Sequence, residues 1–274
     1  MRRWGILLAL LTGTAAWPQE PASPKTEAPL RRASGDARPA GGGSPADGWG
    51  GAVILEAKDG LRLSGQFYRP ASTHAATWIL LHGLGANKEE WKTFALELKK
   101  KGHGFLALDL RGHGESTQKK SGDSVTYESF PKNGPGSPWH LMIKDVDLAV
   151  KHITAHEIST SSIVLAGASL GANIALNYAA ENPRIERVIL LSPGLRYAGG
   201  LETEQAMKTY KGRVAIAVAD NDGYAYFSAQ KLKKLNPKTT FWVKPGAGHG
   251  VGLFDGKWEQ RLFDWLNPPQ PRKK

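Results

Sequence analysis

One pentapeptide, Gly167-Ala168-Ser169-Leu170-Gly171, constrains the fold of this chain more than any other segment. An apolar run at 163–166 precedes it, and a run typical of a helix at 172–180 follows it. Strand, tight turn and helix in this order, with a serine at the tip, are typical of a nucleophile elbow. Such a sharp turn leaves no room for side chains on its flanks, so small residues must lie there. We therefore expect Ser169 at the N-terminus of a helix, whose dipole favours developing negative charge.

A serine hydroxyl needs a general base, and the base needs an acid that orients it. After an elbow of this kind the acid and then the histidine follow in chain order. His249 lies in a glycine-rich segment, 244–250, directly after the apolar run 239–243. A single loop histidine is more often merely solvated, and the chain has eight histidines. The position after the last predicted strand nevertheless favours His249 as the general base.

Two aspartates are candidates for the acid. Asp220 and Asp222 follow the apolar run 214–219, which has the pattern of a buried strand. One of them can serve the histidine while the other caps a turn, a common structural role of aspartate. We favour Asp222, because it leaves a short loop before a helix that we predict to begin at Ser228.

Backbone donors for a transition-state oxyanion are predicted in two places. The segment His82-Gly83-Leu84-Gly85 follows the strand-like run 78–81, and its glycines allow N–H groups to turn towards a ligand. We predict the N–H groups of Leu84 and Leu170 as the oxyanion hole. Removal of one such donor typically lowers turnover by ~10²–10³.

Together with the motif at 109–116, Asp-Leu-Arg-Gly-His-Gly-Glu-Ser, these segments resemble serine hydrolases of the α/β-hydrolase superfamily. The resemblance is strongest to the branch of lysophospholipases, monoacylglycerol lipases and esterases, and it spans residues 79–250. It implies that His82, Asp109 and His113 are architectural rather than catalytic. Family members often carry a large lid after the strand that ends near Ser192. The short segment 193–211 implies a small or absent lid and an open site.

The distribution of apolar runs independently predicts an α/β fold. Strands are predicted near 77–81, 104–109, 162–167, 186–192, 213–219 and 239–243. Helices are predicted near 88–101, 140–155, 170–181 and 255–266, besides the one that begins at Ser228. This alternation favours a mostly parallel central sheet with helices on both faces. The runs 52–57 and 61–68 flank an Asp-Gly turn and predict an antiparallel hairpin at the start. Ligands of such sheets bind beyond the carboxyl ends of the strands, where all the loops named above begin.

The domain organisation follows from composition. Residues 1–16 have a charged start, an apolar stretch and small residues, which predicts a secretory signal peptide; an uncleaved membrane anchor is the alternative. A linker rich in Pro, Ala and Gly (17–49), an α/β-hydrolase domain (50–267) and a basic tail (268–274) follow. We therefore expect an exported protein, periplasmic or secreted, without a membrane span after signal cleavage.

The chain lacks several features of other functional classes. It has no cysteine, which excludes a thiolate nucleophile or metal site, and no motif for a metal, nucleotide or other cofactor. Its net charge of +11 comes from dispersed lysines without a nucleic-acid-binding motif, so we expect no nucleic-acid partner.

The prediction is therefore an exported serine hydrolase that cleaves small-molecule acyl esters through an acyl-enzyme. The same residues would serve an amidase or aminopeptidase, a thioesterase or a lysophospholipase. A non-catalytic binding protein on the hydrolase scaffold is the remaining alternative.

Overall fold

A computed structural model describes residues 49–131 and 136–267 of the 274-residue chain. The predicted signal peptide, the predicted linker up to residue 48 and the predicted tail at 268–274 lie outside the described residues. No helix within the described ranges is long and apolar enough to cross a membrane.

The described residues form eleven strands and six α-helices. The strands are β1 Gly51–Glu56, β2 Leu61–Tyr68, β3 Thr77–Leu81, β4 Gly104–Leu108, β5 Gln118–Lys119, β6 Ile163–Ala168, β7 Arg187–Leu191, β8 Arg196–Tyr197, β9 Leu201–Glu202, β10 Arg213–Ala219 and β11 Thr240–Lys244. The helices are α1 Lys92–Lys100, α2 Pro138–Thr154, α3 Leu170–Glu181, α4 Glu204–Thr209, α5 Gly223–Leu235 and α6 Lys257–Leu266.

In the described part of the chain, nine of these strands form one sheet. The order is β1-β2-β4-β3-β6-β7-β10-β11, and β5 pairs with β2. The first hairpin and the β2–β4 pair are antiparallel, whereas every neighbouring pair from β4 to β11 is parallel. This confirms the predicted α/β-hydrolase architecture of a mostly parallel sheet that begins with an antiparallel hairpin.

Helices cover both faces of the sheet, because its central strands are apolar on both sides. All five side chains of β3 are buried. Trp78 and Leu80 pack with the apolar faces of α1 and α6, whereas Ile79 and Leu81 pack on the opposite face with α2 to α5. Because the strands from β4 to β11 are parallel, their carboxyl ends share one edge of the sheet, where the sequence predicts the site.

Two predicted boundaries away from the site differ from the structure. Trp49, which composition assigned to the end of the linker, is buried and stacks on Phe105 with ring centroids 5.5 Å apart. The single helix predicted over 88–101 is a 3₁₀ turn, Lys88–Trp91, followed by α1. The composition of the linker did not show that its last residue, an apolar tryptophan, packs on the domain. The spacing of apolar residues does not distinguish a short 3₁₀ turn from the start of an α-helix.

Candidate active site

The elbow after β6 holds Ser169 in a strained backbone conformation. Ser169 has φ 50° and ψ −115°, a left-handed φ that few residues other than glycine adopt. Its N–H donates to the carbonyl oxygen of Leu191 on the neighbouring strand at 2.8 Å, and its own carbonyl oxygen accepts the Ala172 N–H at 2.9 Å. Ser169 thus ends β6 and caps α3 in a single residue.

The two glycines of the elbow are required by close backbone contacts. A Cβ on Gly167 would collide with the backbone of Gly171. A Cβ on Gly171 would collide with the carbonyl oxygen of Leu81 at the end of β3. The helix α3 therefore packs directly on two strand ends, which turns its N-terminus towards the edge of the sheet.

His249 and Asp222 form a hydrogen-bonded pair beside this elbow. His249 Nδ1 lies 2.8 Å from Asp222 Oδ2, and the Asp222 side chain is only 15% exposed. A carboxylate can only accept, so Nδ1 carries the proton and Nε2 of the neutral ring is left as a base. The next residue, Gly250, packs on the residue before Ser169, because a Cβ on Gly250 would lie 3.1 Å from the Ala168 Cβ.

Asp220 has a different partner. Its Oδ1 accepts the Gly246 N–H at 2.9 Å and so ties the histidine loop to the end of β10. Of the two candidate aspartates, the structure brings Asp222 to the His249 ring and uses Asp220 in the loop. The contacts agree with the prediction that one aspartate bonds the histidine and the other serves the loop, with Asp222 as the favoured partner of His249.

The expected helix start at Ser228 is wrong. Helix α5 begins at Gly223 with Asp222 as its N-cap, and the Asp222 carbonyl oxygen accepts the Tyr226 N–H at 2.8 Å. Ser228 lies inside the helix, where its hydroxyl donates to the Tyr224 carbonyl oxygen. The aromatic residues of this first turn have weak helix propensity, so their sequence did not mark the start.

The loop after β3 is held at both polar groups of Gly83. The His82 Nδ1 donates to the Gly83 carbonyl oxygen at 2.7 Å, while His82 Nε2 accepts the Leu110 N–H at 2.9 Å. Burial, reinforced by His113, lowers the pKa of His82 to about 3, so its ring stays neutral in this arrangement. The Gly83 N–H donates to Glu90 Oε1 at 3.0 Å.

The two predicted oxyanion donors lie at this junction. The Leu84 N–H belongs to the same peptide unit as the Gly83 carbonyl, so it points away from His82. A Cβ on Gly83 would lie 3.5 Å from the Ser169 Cβ, which places the loop against the elbow. Within the described residues, neither the Leu84 N–H nor the Leu170 N–H has a hydrogen-bond acceptor in the protein. Both donors therefore remain available to a ligand.

The motif at 109–116 builds a support beneath the loop. The Asp109 carboxylate accepts the Lys88 N–H and the Lys88 ammonium, each at 2.7 Å, and the Glu115 N–H at 2.9 Å. Burial disfavours the Lys88 charge, but the bonds to Asp109 and Glu115 outweigh it and raise the pKa of Lys88. His113 stacks on Tyr127 with ring centroids 4.1 Å apart. These positions match the architectural roles that the resemblance implied.

Tyr197, in the short segment after β7, and Tyr224, in the first turn of α5, form what we call the aromatic wall. Tyr197 on β8 donates its hydroxyl to the Ser192 carbonyl oxygen at 2.9 Å, and its ring lies edge-on to Tyr224 on α5. The Tyr224 hydroxyl bonds both backbone groups of Arg196. Trp139, in contrast, is buried and donates to the Pro131 carbonyl oxygen, so it supports packing.

Sequence reasoning missed one residue of this site, Ser192. It follows β7, is fully buried and has φ 50° like Ser169. Its hydroxyl accepts the Gly250 N–H at 3.0 Å, and its N–H donates to the Ala217 carbonyl oxygen of β10. A serine before a proline carries no elbow pattern, so no local signal indicated this role.

The loops that follow β6, β11 and β10 carry Ser169, His249 and Asp222, respectively, at one edge of the α/β sheet. Among the described residues, no group of three or more His, Cys, Asp or Glu forms a metal-binding cluster. Fold and site together define a hydrolase of the α/β-hydrolase class. A family model described as "Serine aminopeptidase, S33" matches residues 72–224, and the chain belongs to this family.

Known relatives agree with this membership. The AB hydrolase superfamily protein YisY of Bacillus subtilis is 30% identical over 181 residues, which cover 62% of this chain and 59% of that protein. The human monoacylglycerol lipase ABHD6 is 26% identical over 151 residues, which cover 54% of this chain and 40% of the lipase. The chain thus spans less than two thirds of the length of either relative.

Among solved structures, the Pyrococcus furiosus esterase Pf2001 is similar in fold. The two chains superpose with a TM-score of 0.64 at 22% identity, over 84% of this chain and 95% of the esterase. This similarity shows that the two chains share a fold over nearly the whole length of the esterase.

Proposed function

We propose that this protein is an exported esterase that hydrolyses small carboxylic esters with Ser169 as nucleophile, His249 as general base and Asp222 as orienting acid. The observation that carries the proposal is the 2.8 Å bond between His249 Nδ1 and Asp222 Oδ2 beside a serine with φ 50°. A neutral histidine held in one tautomer next to a strained serine is the arrangement that acyl transfer requires.

In the first half of the reaction, Ser169 Oγ attacks the acyl carbon while its proton passes to His249 Nε2. The Leu84 and Leu170 N–H groups stabilise the negative charge that forms on the carbonyl oxygen. Asp222 accepts the Nδ1–H and stabilises the imidazolium without taking its proton. The tetrahedral intermediate then collapses, the C–O bond to the alcohol breaks, and the imidazolium protonates the leaving oxygen.

In the second half, water replaces the alcohol. His249 takes a proton from the water as its oxygen attacks the acyl carbon, and the same two N–H groups stabilise the second oxyanion. Cleavage of the bond to Ser169 Oγ releases the acid and returns the proton to the serine. The cycle needs no group beyond these side chains and backbone donors.

The surroundings of the site favour small or accessible substrates. The His249 side chain is 49% exposed, and the segment 193–211 consists of a two-stranded ribbon, a 3₁₀ turn between its strands and the short helix α4. Tyr224 and Phe227 on α5 are exposed aromatic residues near Asp222. These features support an open cleft with an aromatic side rather than one closed by a helical lid.

The test is hydrolysis of p-nitrophenyl esters from acetate to palmitate by the mature protein and by Ser169→Ala. We expect turnover of the short esters that the variant loses. A rate that increases towards long chains would favour a lipase or lysophospholipase. Equal, background rates for the two proteins on every ester would contradict the esterase proposal.

Amide hydrolysis is a second candidate, because the matching family model is described as a serine aminopeptidase. The same residues would cleave an amide if the leaving nitrogen is protonated by His249. Matched aminoacyl p-nitroanilides and p-nitrophenyl esters separate the two activities. A higher kcat/KM for the anilides would replace the esterase proposal with a peptidase.

Export is supported by the sequence of residues 1–16 alone. We expect a mature protein that begins at Trp17 or close to it, outside the cytoplasmic membrane. Cell fractionation followed by N-terminal sequencing checks this expectation. Recovery of the full-length chain in the membrane fraction would favour an uncleaved anchor instead.

A further inference from the structure

Glu90 is a carboxylate near the elbow that the mechanism above does not use. It lies in the 3₁₀ turn Lys88–Trp91, which follows the loop after β3. Asn87 caps this turn by accepting the Glu89 N–H at 2.9 Å, and Asp109 holds both the N–H and the ammonium of Lys88. The turn is therefore fastened at its start, which directs Glu90 back towards the loop it follows.

The Glu90 carboxylate contacts the part of the loop that borders Ser169. Its Oε1 accepts the Gly83 N–H at 3.0 Å, while His82 holds the carbonyl oxygen of the same glycine. Both polar groups of Gly83 are thus bonded, which fixes the direction of the Leu84 N–H. Glu90 contributes one of these two restraints on a predicted oxyanion donor.

The same carboxylate also lies within the electric field of His249. Burial raises the pKa of Glu90 to about 7, whereas the Gly83 N–H and the charge of His249 act in the opposite direction. These are the two groups of the described residues that favour the ionised form of Glu90. A second negative charge near the ring favours the imidazolium, which forms in each proton transfer of the proposed reaction.

We propose that Glu90 is a positioning residue of this site, which holds Gly83 through its backbone N–H and serves as a second carboxylate that favours the His249 imidazolium. This inference rests on the proposed catalytic role of His249. It assigns the Glu90 charge to proton transfer and the Glu90 hydrogen bond to the oxyanion loop.

The charge is tested without a substrate by NMR titration of the His249 ring in the wild type, Glu90→Gln and Glu89→Gln. Glutamine keeps an oxygen for the Gly83 N–H but carries no charge. Glu89 lies in the same turn and is exposed, so Glu89→Gln is the matched control. We expect the midpoint of the ring titration to fall by about 0.2–0.5 pH unit in Glu90→Gln, because Glu90 is itself partly protonated where the ring titrates, and to stay unchanged in Glu89→Gln. Equal midpoints in all three proteins would overturn the inference.

Kinetics separate the charge from the hydrogen bond. On p-nitrophenyl acetate we expect kcat of Glu90→Gln to fall about threefold to tenfold with KM unchanged, and the acid limb of its pH profile to move to lower pH. Glu90→Ala, which removes both functions, should lose more. Wild-type kinetics in Glu90→Gln with a defect in Glu90→Ala would overturn the role of the charge. A wild type without ester turnover counts against the proposed function only, because the ring titration tests the effect of the Glu90 charge on His249 without a substrate.

Discussion

Ser169 and Ser192 lie at the ends of neighbouring parallel strands and have the same left-handed φ of 50°, yet they differ in what their hydroxyls do. Ser169 follows β6 and lies at the tip of the elbow. Ser192 follows β7, is fully buried, and accepts the Gly250 N–H from the histidine loop. A strained backbone residue typically costs ~1–3 kcal/mol, so two in adjacent strands require support from the surrounding fold.

The difference between the two turns comes from the space beyond them. The elbow continues into α3, whose N-terminus leaves the Leu170 N–H open at the edge of the sheet. The turn after β7 continues into Pro193 and the aromatic wall, where the Tyr197 hydroxyl bonds the Ser192 carbonyl oxygen. The same backbone strain therefore holds the proposed nucleophile in one turn and anchors the histidine loop in the other.

The largest expected effect is loss of the Ser169 hydroxyl. Ser169→Ala should lower kcat by about 10⁴-fold or more, because the nucleophile is absent. The melting temperature should change little, since alanine keeps the same backbone strain. Ester hydrolysis and thermal unfolding measured on one preparation check both statements. Residual turnover close to that of the wild type would assign the chemistry to another residue.

The aspartate pair gives the next largest contrast. Asp222→Asn should lower kcat by about 10³–10⁴-fold, because an amide favours the wrong tautomer of His249. Asp220→Asn keeps an oxygen for the Gly246 N–H and should change kcat by no more than about threefold. Steady-state kinetics of the two variants form the test. The reverse ranking would exchange their roles.

A smaller effect is expected for the buried serine. Ser192→Ala leaves the buried Gly250 N–H without its acceptor, which should lower the free energy of unfolding by about 1–3 kcal/mol. Because the His249 loop also loses an anchor, kcat should fall about 10–100-fold with less change in KM. The measurements are chemical denaturation and ester kinetics.

Ser228→Ala is the matched control for this variant, since Ser228 is another fully buried serine with a hydrogen-bonded hydroxyl. We expect it to lose stability at most, with kcat retained. If Ser192→Ala, like the control, loses stability but retains kcat, the turn after β7 stabilises the fold and does not position His249.

The smallest expected effect concerns stability and pH at Glu90. Because the folded state raises the pKa of Glu90 from 4.5 to about 7, the folded protein holds a proton that the unfolded chain releases between these values. This contribution to stability is present below pH 4.5 and is lost as the pH rises through about 7. Glu90→Gln should therefore be about 1–3 kcal/mol more stable than the wild type at pH 8 and about equally stable near pH 4.5.

Urea denaturation of both proteins at the two pH values measures this difference, with Glu89→Gln as control. A Glu90→Gln variant that is more stable and less active would show that the Glu90 charge lowers the free energy of unfolding but supports turnover. Identical pH dependence in the wild type and Glu90→Gln would contradict a half-buried, proton-binding carboxylate at this position.

Much of the fold followed from local patterns. Apolar runs predicted each parallel strand to within a residue or two, and the Asp-Gly turn predicted the first hairpin. The start of α5 was wrong by five residues, since aromatic residues in its first turn do not resemble a helix start. For the site, chain order narrowed the acid to two aspartates. The preference for Asp222 rested on a helix start at Ser228 that is wrong. Both residues follow β10 and differ only in direction, which only the tertiary structure shows.

The sequence by itself determined which residues form strands and helices and where the elbow lies. Both signals are local: the spacing of apolar residues and the glycines of the elbow can be read from residues that are close together in the chain. Only the tertiary structure joined Asp222 to His249, 27 residues apart, and Ser192 to Gly250, 58 residues apart. It also turned Glu90 back to Gly83. Such bonds depend on strand register and on how loops pack at a shared edge, and a single oxygen or N–H leaves no local pattern in the chain.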